Sequence, residues 1–325
     1  MRSLVFLLSV AALAQAPKHR LHTCMVTSKD YVVGAKLPPS GLFVNAGTQG
    51  WQHRGFNHPY VAALDFDTRD PQTLFLAAGN GVIRAGDDGR EWKILTGNDV
   101  TELRDISVKG ETIWFAHTAG IAVSRDGGKN WSAADNGIRR KYTEALLVDR
   151  TEPEHVVAGT EQGLFVTEDG GRTWGAAGAA GYQARRIVQS PHDAKEWLAA
   201  TEKGGLFRSR DGGKTFESGG NIGVDRTLYD ISYDPAKPGR IAVCGWDPGV
   251  LVSEDGGRTW QPRNIGLPNP WIWSVAFDPD QPGKLWASVH EDEIHVSDDA
   301  GKTWRRAGLP GSIIYRMVFV PEVRP

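Results

Sequence analysis

Short apolar stretches alternate with turn-forming residues along most of the chain. The clearest example has apolar runs at 229–233, 241–244 and 250–253, separated by DPAKPG and WDPG, and a fourth run that starts at Trp260. Short runs rich in β-branched and aromatic residues, bounded by Pro, Gly and Asp, are typical of antiparallel strands. Beyond the N-terminal segment we find no convincing amphipathic helix. The pattern therefore predicts an all-β chain built from units of four strands.

One motif of eight residues, clearest as SEDGGRTW at 253–260, recurs at a nearly constant interval. The other copies are AGDDGREW ending at Trp92, SRDGGKNW at Trp131, TEDGGRTW at Trp174, SRDGGKTF at Phe216 and SDDAGKTW at Trp304. Their aspartates, separated by 39, 43, 42, 44 and 44 residues, are Asp87, Asp126, Asp169, Asp211, Asp255 and Asp299. A repeat of this length with several short strands indicates one four-stranded blade of a β-propeller.

The motif itself indicates a tight hairpin between two strands. The residue two places after the aspartate is glycine in all six copies, whereas the place between them also holds Asp88 and Ala300. We therefore expect only the later place to require a positive φ. The aspartate and the hydroxyl residue two places before it are suited to accept backbone N–H groups in the turn, and the closing aromatic ring to pack beneath it. These aspartates are interpreted as structural.

A seventh, weaker copy lies near the N-terminus, where VNAGTQGW ends at Trp51, 41 residues before Trp92. Here the pattern predicts three outer strands, at 31–33, at 41–44 and from Trp51 onward. Because 313–320 is typical of an innermost strand but has no unit of its own, we predict that it completes this sheet. Both chain ends would then close a seven-bladed ring. The alternative is that 22–27 supplies the innermost strand.

The repeated motif resembles the Asp-box, also called the bacterial neuraminidase repeat, of sialidases, xyloglucan hydrolases, the sortilin ectodomain and photosystem II assembly factors. The resemblance covers nearly the whole chain after the N-terminal segment and implies a β-propeller. In the resembling enzymes the catalytic groups lie on the side opposite the boxes, which is where it directs the search for a site. Proteins with this scaffold differ in activity, so the resemblance implies no single function.

Residues 1–14 are predicted to be a secretory signal peptide and 15–325 to form one propeller domain. The segment contains one cation, Arg2, and an apolar run shorter than the roughly 20 residues of a membrane helix. Cleavage after Ala14 is favoured over cleavage after Ala16, because Pro17 would follow the latter. We therefore expect a secreted or periplasmic protein without stable membrane insertion.

Charge, cysteine content and motifs narrow the function classes. Loss of Arg2 changes the formal net charge from −2 to −3, since 37 basic side chains stand against 39 acidic ones, which argues against nucleic acid as a partner. Cys24 and Cys244 are interpreted as buried or free thiols, although export would permit a disulfide. HExxH, GxSxG and a phosphate loop are absent from the sequence, and its histidines show no ligand spacing. We predict neither a metal site nor a cofactor.

Three of the 12 tryptophans are not explained by the repeat. Nine occupy repeated positions, either closing the motif (Trp51, Trp92, Trp131, Trp174, Trp260, Trp304) or lying in second strands (Trp114, Trp197, Trp286). The other three, Trp246, Trp271 and Trp273, fall in adjoining loops of the fifth and sixth full units, on the side away from the motif hairpins. Aromatic residues that the scaffold does not need are candidates for stacking on a sugar ring or anchoring a peptide side chain. The alternative is that they only pack the loops together.

Acidic residues follow the second strand in four successive units. They are Glu161, Glu202, Asp247 and Glu291, the last followed by Asp292 and Glu293. A glycosidase requires two carboxyl groups about 5 to 10 Å apart around the scissile bond. Asp247 and Glu291 are the candidate catalytic pair, and a solvated acidic rim is the alternative interpretation.

Basic and aromatic residues share one position near the start of the predicted innermost strands. These are Arg104, Glu144, Arg185, Tyr229, Trp273 and Tyr315, with Arg186 and Arg316 adjacent. Arginines there are suited to hold a carboxylate or a sulfate. The arginine trio, tyrosine nucleophile and glutamate partner of sialidases cannot be mapped onto this chain, and their Arg-Ile-Pro signature is missing. Xyloglucanases place two catalytic aspartates on two facing propellers, whereas this chain provides one propeller.

Two functions remain. We favour a non-catalytic exported propeller that binds a glycan or an extracytoplasmic protein on the face opposite the motif hairpins. The predicted binding residues are Trp246, Trp271, Trp273, Tyr229, Tyr315, Arg185 and Arg316. The alternative is a glycoside hydrolase that uses Asp247 and Glu291.

Overall fold

The computed structural model describes residues 19–32, 34–87, 89–219, 222 and 226–322. The predicted signal peptide lies outside these residues and stays a prediction. The described chain forms seven sheets of four antiparallel strands, each sheet running outward from a strand that contacts the innermost strands of its two neighbours. The predicted all-β, seven-bladed propeller is therefore confirmed.

Blades 1 to 3 follow the chain order, with strands given from the centre outward. Blade 1 contains Val61–Asp67, Asp70–Ala78, Gly81–Gly86 and Glu91–Ile94. Blade 2 contains Leu103–Lys109, Thr112–His117, Gly120–Ser124 and Ser132–Ala133. Blade 3 contains Thr143–Val148, Val156–Thr160, Gly163–Thr167 and Gly175–Gly178.

Blades 4 to 6 continue in the same order. Blade 4 contains Ala184–Gln189, Trp197–Thr201, Gly205–Ser209 and Glu217–Ser218. Blade 5 contains Leu228–Tyr233, Ile241–Gly245, Gly249–Ser253 and Gln261–Pro262. Blade 6 contains Ile272–Phe277, Leu285–Val289, Ile294–Ser297 and Arg305–Arg306.

Blade 7 closes the ring with both ends of the chain. The C-terminal strand Ser312–Pro321 is innermost and pairs with His19–Thr27, which is followed outward by Gly41–Asn45 and Trp51–Arg54. The predicted closure is confirmed. The assignment of a strand at 31–33 is wrong, because His19–Thr27 occupies the second place in the sheet. The alternative in which 22–27 is innermost is wrong for the same reason.

Helical structure in the described residues is confined to the 3-10 turn Gly47–Gln49. No helix in this part of the chain combines the length and apolar composition needed to cross a bilayer.

Each motif hairpin joins the third and fourth strands of its blade, and those of blades 2 to 6 are held by a small hydrogen-bond network. In blade 2, Ser124 Oγ donates to Asp126 Oδ1 (2.8 Å) and accepts the Gly128 N–H (2.8 Å), while Asp126 Oδ1 accepts the N–H groups of Lys129 and Asn130. The same serine or threonine network recurs in blades 3 to 6. The side chains of Asn130 and Thr173, which donate to Asp126 and Asp169, are the largest cause that lowers the pKa of these two carboxyl groups to about 2, and the backbone N–H groups add to it. The motif aspartates of blades 2 to 6 thus accept hydrogen bonds from their own turns.

The two glycine places in the hairpin differ in their surroundings rather than in the sign of φ. Gly127 (φ 73°) and Gly128 (φ 87°) are both left-handed, as is Ala300 (φ 57°), so the expectation that only the later place has a positive φ is wrong. A Cβ at Gly128 would lie 2.6 Å from Leu95 Cδ1, whereas none of the described atoms lies within 4 Å of a Cβ at Gly127. The later glycine is thus required by close packing against the preceding blade.

The closing aromatic rings tie each blade to the one before it. Trp174 Nε1 donates to Ala134 O (2.7 Å) and Trp304 Nε1 to Arg263 O (2.7 Å). Trp51, in the weakest copy of the motif, does the same to Ala307 O (2.7 Å), which closes blade 7 onto blade 6. Further inside, the second-strand tryptophans Trp114, Trp197 and Trp286 are buried in the cores between blades. Cys24 and Cys244 are free and buried in two separate cores.

Candidate functional site

Every innermost strand has a one-residue irregularity in its pairing near its first residues. The residues left between paired positions are Ala62, Arg104, Glu144, Arg185, Tyr229, Trp273 and Tyr315. A bulge turns a side chain away from the regular alternation of a strand and is common beside functional sites. Here the seven bulges direct seven side chains to one end of the central channel.

These side chains, with Tyr60, form the channel mouth. They line a cavity of about 210 Å³ that also reaches Arg186, Asp230 and Arg316. The innermost strands begin at this end, whereas the motif hairpins join third to fourth strands at the opposite end. The cavity therefore lies on the face opposite the motif hairpins. Six of the seven bulge residues are those that share one position in the sequence repeat.

One side of the mouth is charged. Glu144 lies between two arginines, with its oxygens 3.9 Å from Arg104 Nε and 3.9 Å from Arg185 Nη1, and it accepts a hydrogen bond from the Tyr142 hydroxyl (2.9 Å). Arg185 Nη2 also pairs with Glu202 (2.5 Å). The Nε atoms of Arg104 and Arg185 are buried and have no hydrogen-bond partner among the described residues. Both guanidinium groups therefore keep one donor that the described residues leave unsatisfied.

The floor of the cavity consists of two ion pairs between blades. Arg186 Nε is 3.0 Å from Asp230 Oδ1, and Arg316 Nη2 is 3.2 Å from Asp105 Oδ1. Asp230 also accepts the Ser274 hydroxyl (2.6 Å), which fixes it to the next blade. Burial raises the pKa of Asp230, and it raises that of Asp105 to about 6. The first pair joins neighbouring blades 4 and 5, and the second joins blade 7 to blade 2, with blade 1 between them.

The other side of the mouth is aromatic. Tyr229 and Trp273 are stacked with ring centroids 4.8 Å apart, and Trp273 packs edge-on against Tyr315 at 6.1 Å. Tyr315 in turn contacts Tyr60 at 5.7 Å, and the Tyr60 hydroxyl accepts a hydrogen bond from Arg104 Nη1 (2.9 Å). The aromatic and charged sides thus meet at Tyr60. They also meet at Tyr229, where Arg185 Cζ lies 5.1 Å above the ring centroid.

The aromatic side continues outward over blades 5 and 6. Trp246, Trp271, Trp273 and His290 form what we call the aromatic shelf, in which Trp246 is 6.1 Å from Trp271 and 5.8 Å from Trp273. Trp246 and Trp271 are 40% and 48% exposed, values high for side chains of this size. The structure therefore brings the three unexplained tryptophans together, beside the mouth.

The candidate catalytic pair lies elsewhere. Asp247 occupies a hairpin turn with φ 77°, its side chain is 89% exposed, and it pairs with Arg226 (3.2 Å) beside a separate groove. Glu291 occupies the corresponding turn of blade 6 with φ 49° and accepts a hydrogen bond from Ser28 (2.9 Å). The residues that line the channel mouth include neither of them.

Three site residues were missed in the sequence. Tyr60 immediately precedes an innermost strand, and comparison of the starts of those strands would have found it. Tyr142 also precedes one, two residues before Glu144. His290 follows the second strand of blade 6 and contacts Trp246 and Trp271 because adjacent blades bring their loops together. Burial raises the pKa of Tyr142 to about 12, with Glu144 adding to the shift, so this phenol is poorly suited to act as a nucleophile.

Comparison with known proteins agrees with this architecture. The BNR/Asp-box repeat model matches residues 122–133. No curated protein matches the chain. A GH74 enzyme from Niastella koreensis is similar in structure, with a TM-score of 0.69 and 18% identity over 81% of this chain and 50% of the enzyme. This chain therefore spans about half the length of that enzyme.

Two other similar structures have different roles. YCF48 from Cyanidioschyzon merolae has a TM-score of 0.61 and 20% identity over 78% of this chain and 86% of its own, and YCF48 is also known bound to D1 peptide. An extracellular domain of a hybrid two component system from B. thetaiotaomicron has a TM-score of 0.60 and 14% identity, over 84% of this chain and 37% of its own. The similar propellers thus include enzymes as well as binding or regulatory proteins, and at these identities the likeness concerns the fold.

Proposed function

We propose that this chain, an Asp-box repeat β-propeller, is an exported binding module that holds an acidic segment of another protein at its channel mouth and aromatic shelf. The observation that carries this proposal is the set of seven bulges, which brings cationic and aromatic side chains to one cavity. Trp, Tyr and Arg are the residues that dominate binding energy in protein interfaces, and all three types converge here.

The charge of the cavity favours an anionic group in the ligand. Four arginines line it, namely Arg104, Arg185, Arg186 and Arg316, against the two carboxylates of Glu144 and Asp230. Arg186 is paired with Asp230 and Arg316 with Asp105, a carboxylate outside the lining, so Arg104 and Arg185 are the arginines nearest to Glu144, and Arg185 also pairs with Glu202. The Arg104 and Arg185 side chains are 25% and 23% exposed, and a ligand carboxylate that enters from the solvent side would meet their accessible guanidinium atoms.

The composition of the cavity favours a protein segment over a neutral glycan. Sugar hydroxyl groups are bound by polar side chains placed to fix their orientation. Among the described residues that line the cavity there is no Asn, Gln, Ser or Thr. An acidic side chain or a chain terminus at the arginines, followed by apolar side chains on the shelf, would use the groups that are present. The export of the protein, predicted from residues 1–14, is part of this proposal.

Glycoside hydrolysis by Asp247 and Glu291 has less support in the geometry. Hydrolases enclose two carboxyl groups around the scissile bond and keep one of them protonated. The Asp247 side chain is largely exposed and ion-paired, and Glu291 holds Ser28 in a turn.

Binding should be measured on an array that presents acidic peptides, their amidated or Gln/Asn counterparts, and acidic and neutral glycans. We expect peptide binding that depends on the carboxylate and is lost in the Arg104→Ala/Arg185→Ala variant, with Arg258→Ala on the motif face as the matched control. Binding of glycans alone would contradict the choice of a protein ligand. Release of chromophore from aryl glycosides by the wild type, abolished in Asp247→Asn, would replace the proposal with the hydrolase.

A further inference from the structure

A single histidine is enclosed by all three tryptophans of the aromatic shelf. The His290 ring lies 5.3 Å from Trp246, 6.2 Å from Trp271 and 6.1 Å from Trp273 between centroids. Its backbone N–H donates to Trp271 O (2.8 Å), which ties the blade 5–6 connection to the blade 6 hairpin. His290 is therefore positioned to organise the shelf.

The protonation state of His290 follows from its partner. Trp273 Nε1 lies 2.9 Å from His290 Nδ1, and an indole N–H can only donate. Nδ1 must then carry a lone pair, so the imidazole is neutral with its proton on Nε2. In an imidazolium both nitrogens are donors, and Trp273 would face a second N–H across the same 2.9 Å. The observed orientation of the Trp273 ring is therefore incompatible with a protonated His290.

Trp273 connects the protonation state of His290 to the proposed ligand site. It belongs to the shelf by its contact with Trp246 and to the channel mouth by its stacking on Tyr229 and its contact with Tyr315. A change in the Trp273 ring would therefore alter the surface on both sides of it.

The carboxylates next to the shelf residues in sequence have partners of their own. Glu291 follows His290 in the chain and accepts the Ser28 hydroxyl, and Asp247 follows Trp246 and pairs with Arg226. The aromatic rings in contact with the imidazole are three indoles, which carry no charge. An indole N–H can only donate, so these rings offer no nitrogen acceptor to replace the hydrogen bond that proton uptake breaks.

We propose that His290 is a positioning residue that makes ligand binding at the aromatic shelf dependent on pH. This inference rests on the proposed binding function of the mouth and shelf. A ligand that fits the observed arrangement selects the neutral imidazole, so its affinity falls when the imidazole gains its proton. Because one proton is linked, the dissociation constant should increase between pH 7.5 and 5.5, by up to about tenfold per pH unit.

The direct test needs no ligand. In protein labelled with ¹⁵N-tryptophan, the Trp273 indole N–H signal, assigned with Trp273→Phe, should shift between pH 8 and 5 with the same midpoint as the His290 ring protons. His290→Asn places a carbonyl oxygen near the position of Nδ1 and cannot titrate, so the shift should disappear while the fold is kept. The inference would be overturned if the Trp273 chemical shift stayed constant while the His290 ring protons shifted in the wild type. An equal shift of the Trp273 signal in His290→Asn would also overturn it.

A second measurement connects the switch to binding. The best carboxylate-containing peptide from the array should bind the wild type more weakly at pH 5.5 than at pH 7.5, by up to about tenfold per pH unit, and should bind His290→Asn equally at both. Equal pH dependence in both proteins would contradict the role of His290. If no peptide binds, the proposed function fails while the indole titration still decides whether the switch exists.

Discussion

Tyr229 and Trp273 stack across the joint between blades 5 and 6, with ring centroids 4.8 Å apart and planes inclined by 22°. Both are bulge residues of innermost strands, so neither ring follows the regular alternation of its sheet. Trp246 packs edge-on against both of them, at 6.2 Å and 5.8 Å. The stacked pair and Trp246 thus join the channel mouth to the aromatic shelf in one continuous surface.

The outer end of that surface is tested by Trp271→Ala. Trp271 is 48% exposed, so its removal should leave the melting temperature nearly unchanged while ligand affinity falls about tenfold or more, as for an aromatic anchor of an interface. Calorimetric titration with an array-selected ligand and thermal unfolding measure the two quantities. Ile265→Ala, at a residue 76% exposed, is the control and should change neither. Equal affinity in Trp271→Ala would remove the shelf from the binding site.

Arg185 should be needed for its fork geometry as well as for its charge. Arg185→Lys keeps the cation but loses the planar donors that pair with Glu202 and lie above Tyr229. We therefore expect Lys to restore only a small part of the affinity that Ala loses. The comparison is made at two ionic strengths, because a purely long-range attraction would be screened by salt in wild type and Lys variant alike. Full restoration by Lys would show that position and charge suffice.

The two glycines of a motif hairpin provide a matched test of its packing. Gly127→Ala and Gly128→Ala both place a side chain at a positive φ, which costs about 1–2 kcal/mol. Only the second also meets Leu95, and overpacking of this kind costs typically a further 1–3 kcal/mol. Urea denaturation should show Gly128→Ala to be the less stable variant. Equal losses would mean that backbone conformation alone selects the later glycine.

Stability should pass through a maximum at mildly acidic pH. Burial raises the pKa of Asp65 to about 7 and of Asp105 to about 6, above the roughly 3.9 of an unfolded chain. The folded protein thus binds more protons in this range, and its stability decreases as the pH rises from about 4 to 7. Asp126 and Asp169, with pKa lowered to about 2, act in the opposite sense, and their contribution is lost as the pH falls from about 4 to 2.

This pH dependence is checked by thermal unfolding between pH 2 and 8. Asp65→Asn should reduce the loss of stability above pH 5. Asp298→Asn, at an exposed carboxylate, should leave the pH dependence of stability unchanged. A curve that rises steadily up to pH 8 in the wild type would contradict the effect of burial on these carboxyl groups.

The sequence predicted the ring, the hairpins and much of the candidate site because these features repeat. Arg104, Glu144 and Arg185 share one position near the start of their innermost strands. That shared position grouped them in the sequence before any contact was known, and in the structure they line one cavity. Features outside the repeat were harder to infer. Residues 31–33 resembled a strand, yet His19–Thr27 fills that place because it pairs with the C-terminal strand, more than 280 residues away in sequence.

The same limit applies to the contacts between loops. Asp247 and Glu291 occupy equivalent turns of adjacent blades, and on that ground the repeat made them the candidate catalytic pair. In the structure Asp247 pairs with Arg226 and Glu291 with Ser28. The contact between His290 and three tryptophans depends on how two loops pack, and no spacing in the sequence encodes it.

The placement of the site at the channel mouth is tested most directly by comparing wild type, Arg104→Ala/Arg185→Ala and Arg258→Ala on the mixed peptide and glycan array, after equal melting temperatures have been verified. We expect carboxylate-dependent peptide binding by the wild type and Arg258→Ala, and at least tenfold weaker binding by the double variant. Peptide binding that is as strong in the double variant as in the wild type would contradict the placement of the site at the channel mouth.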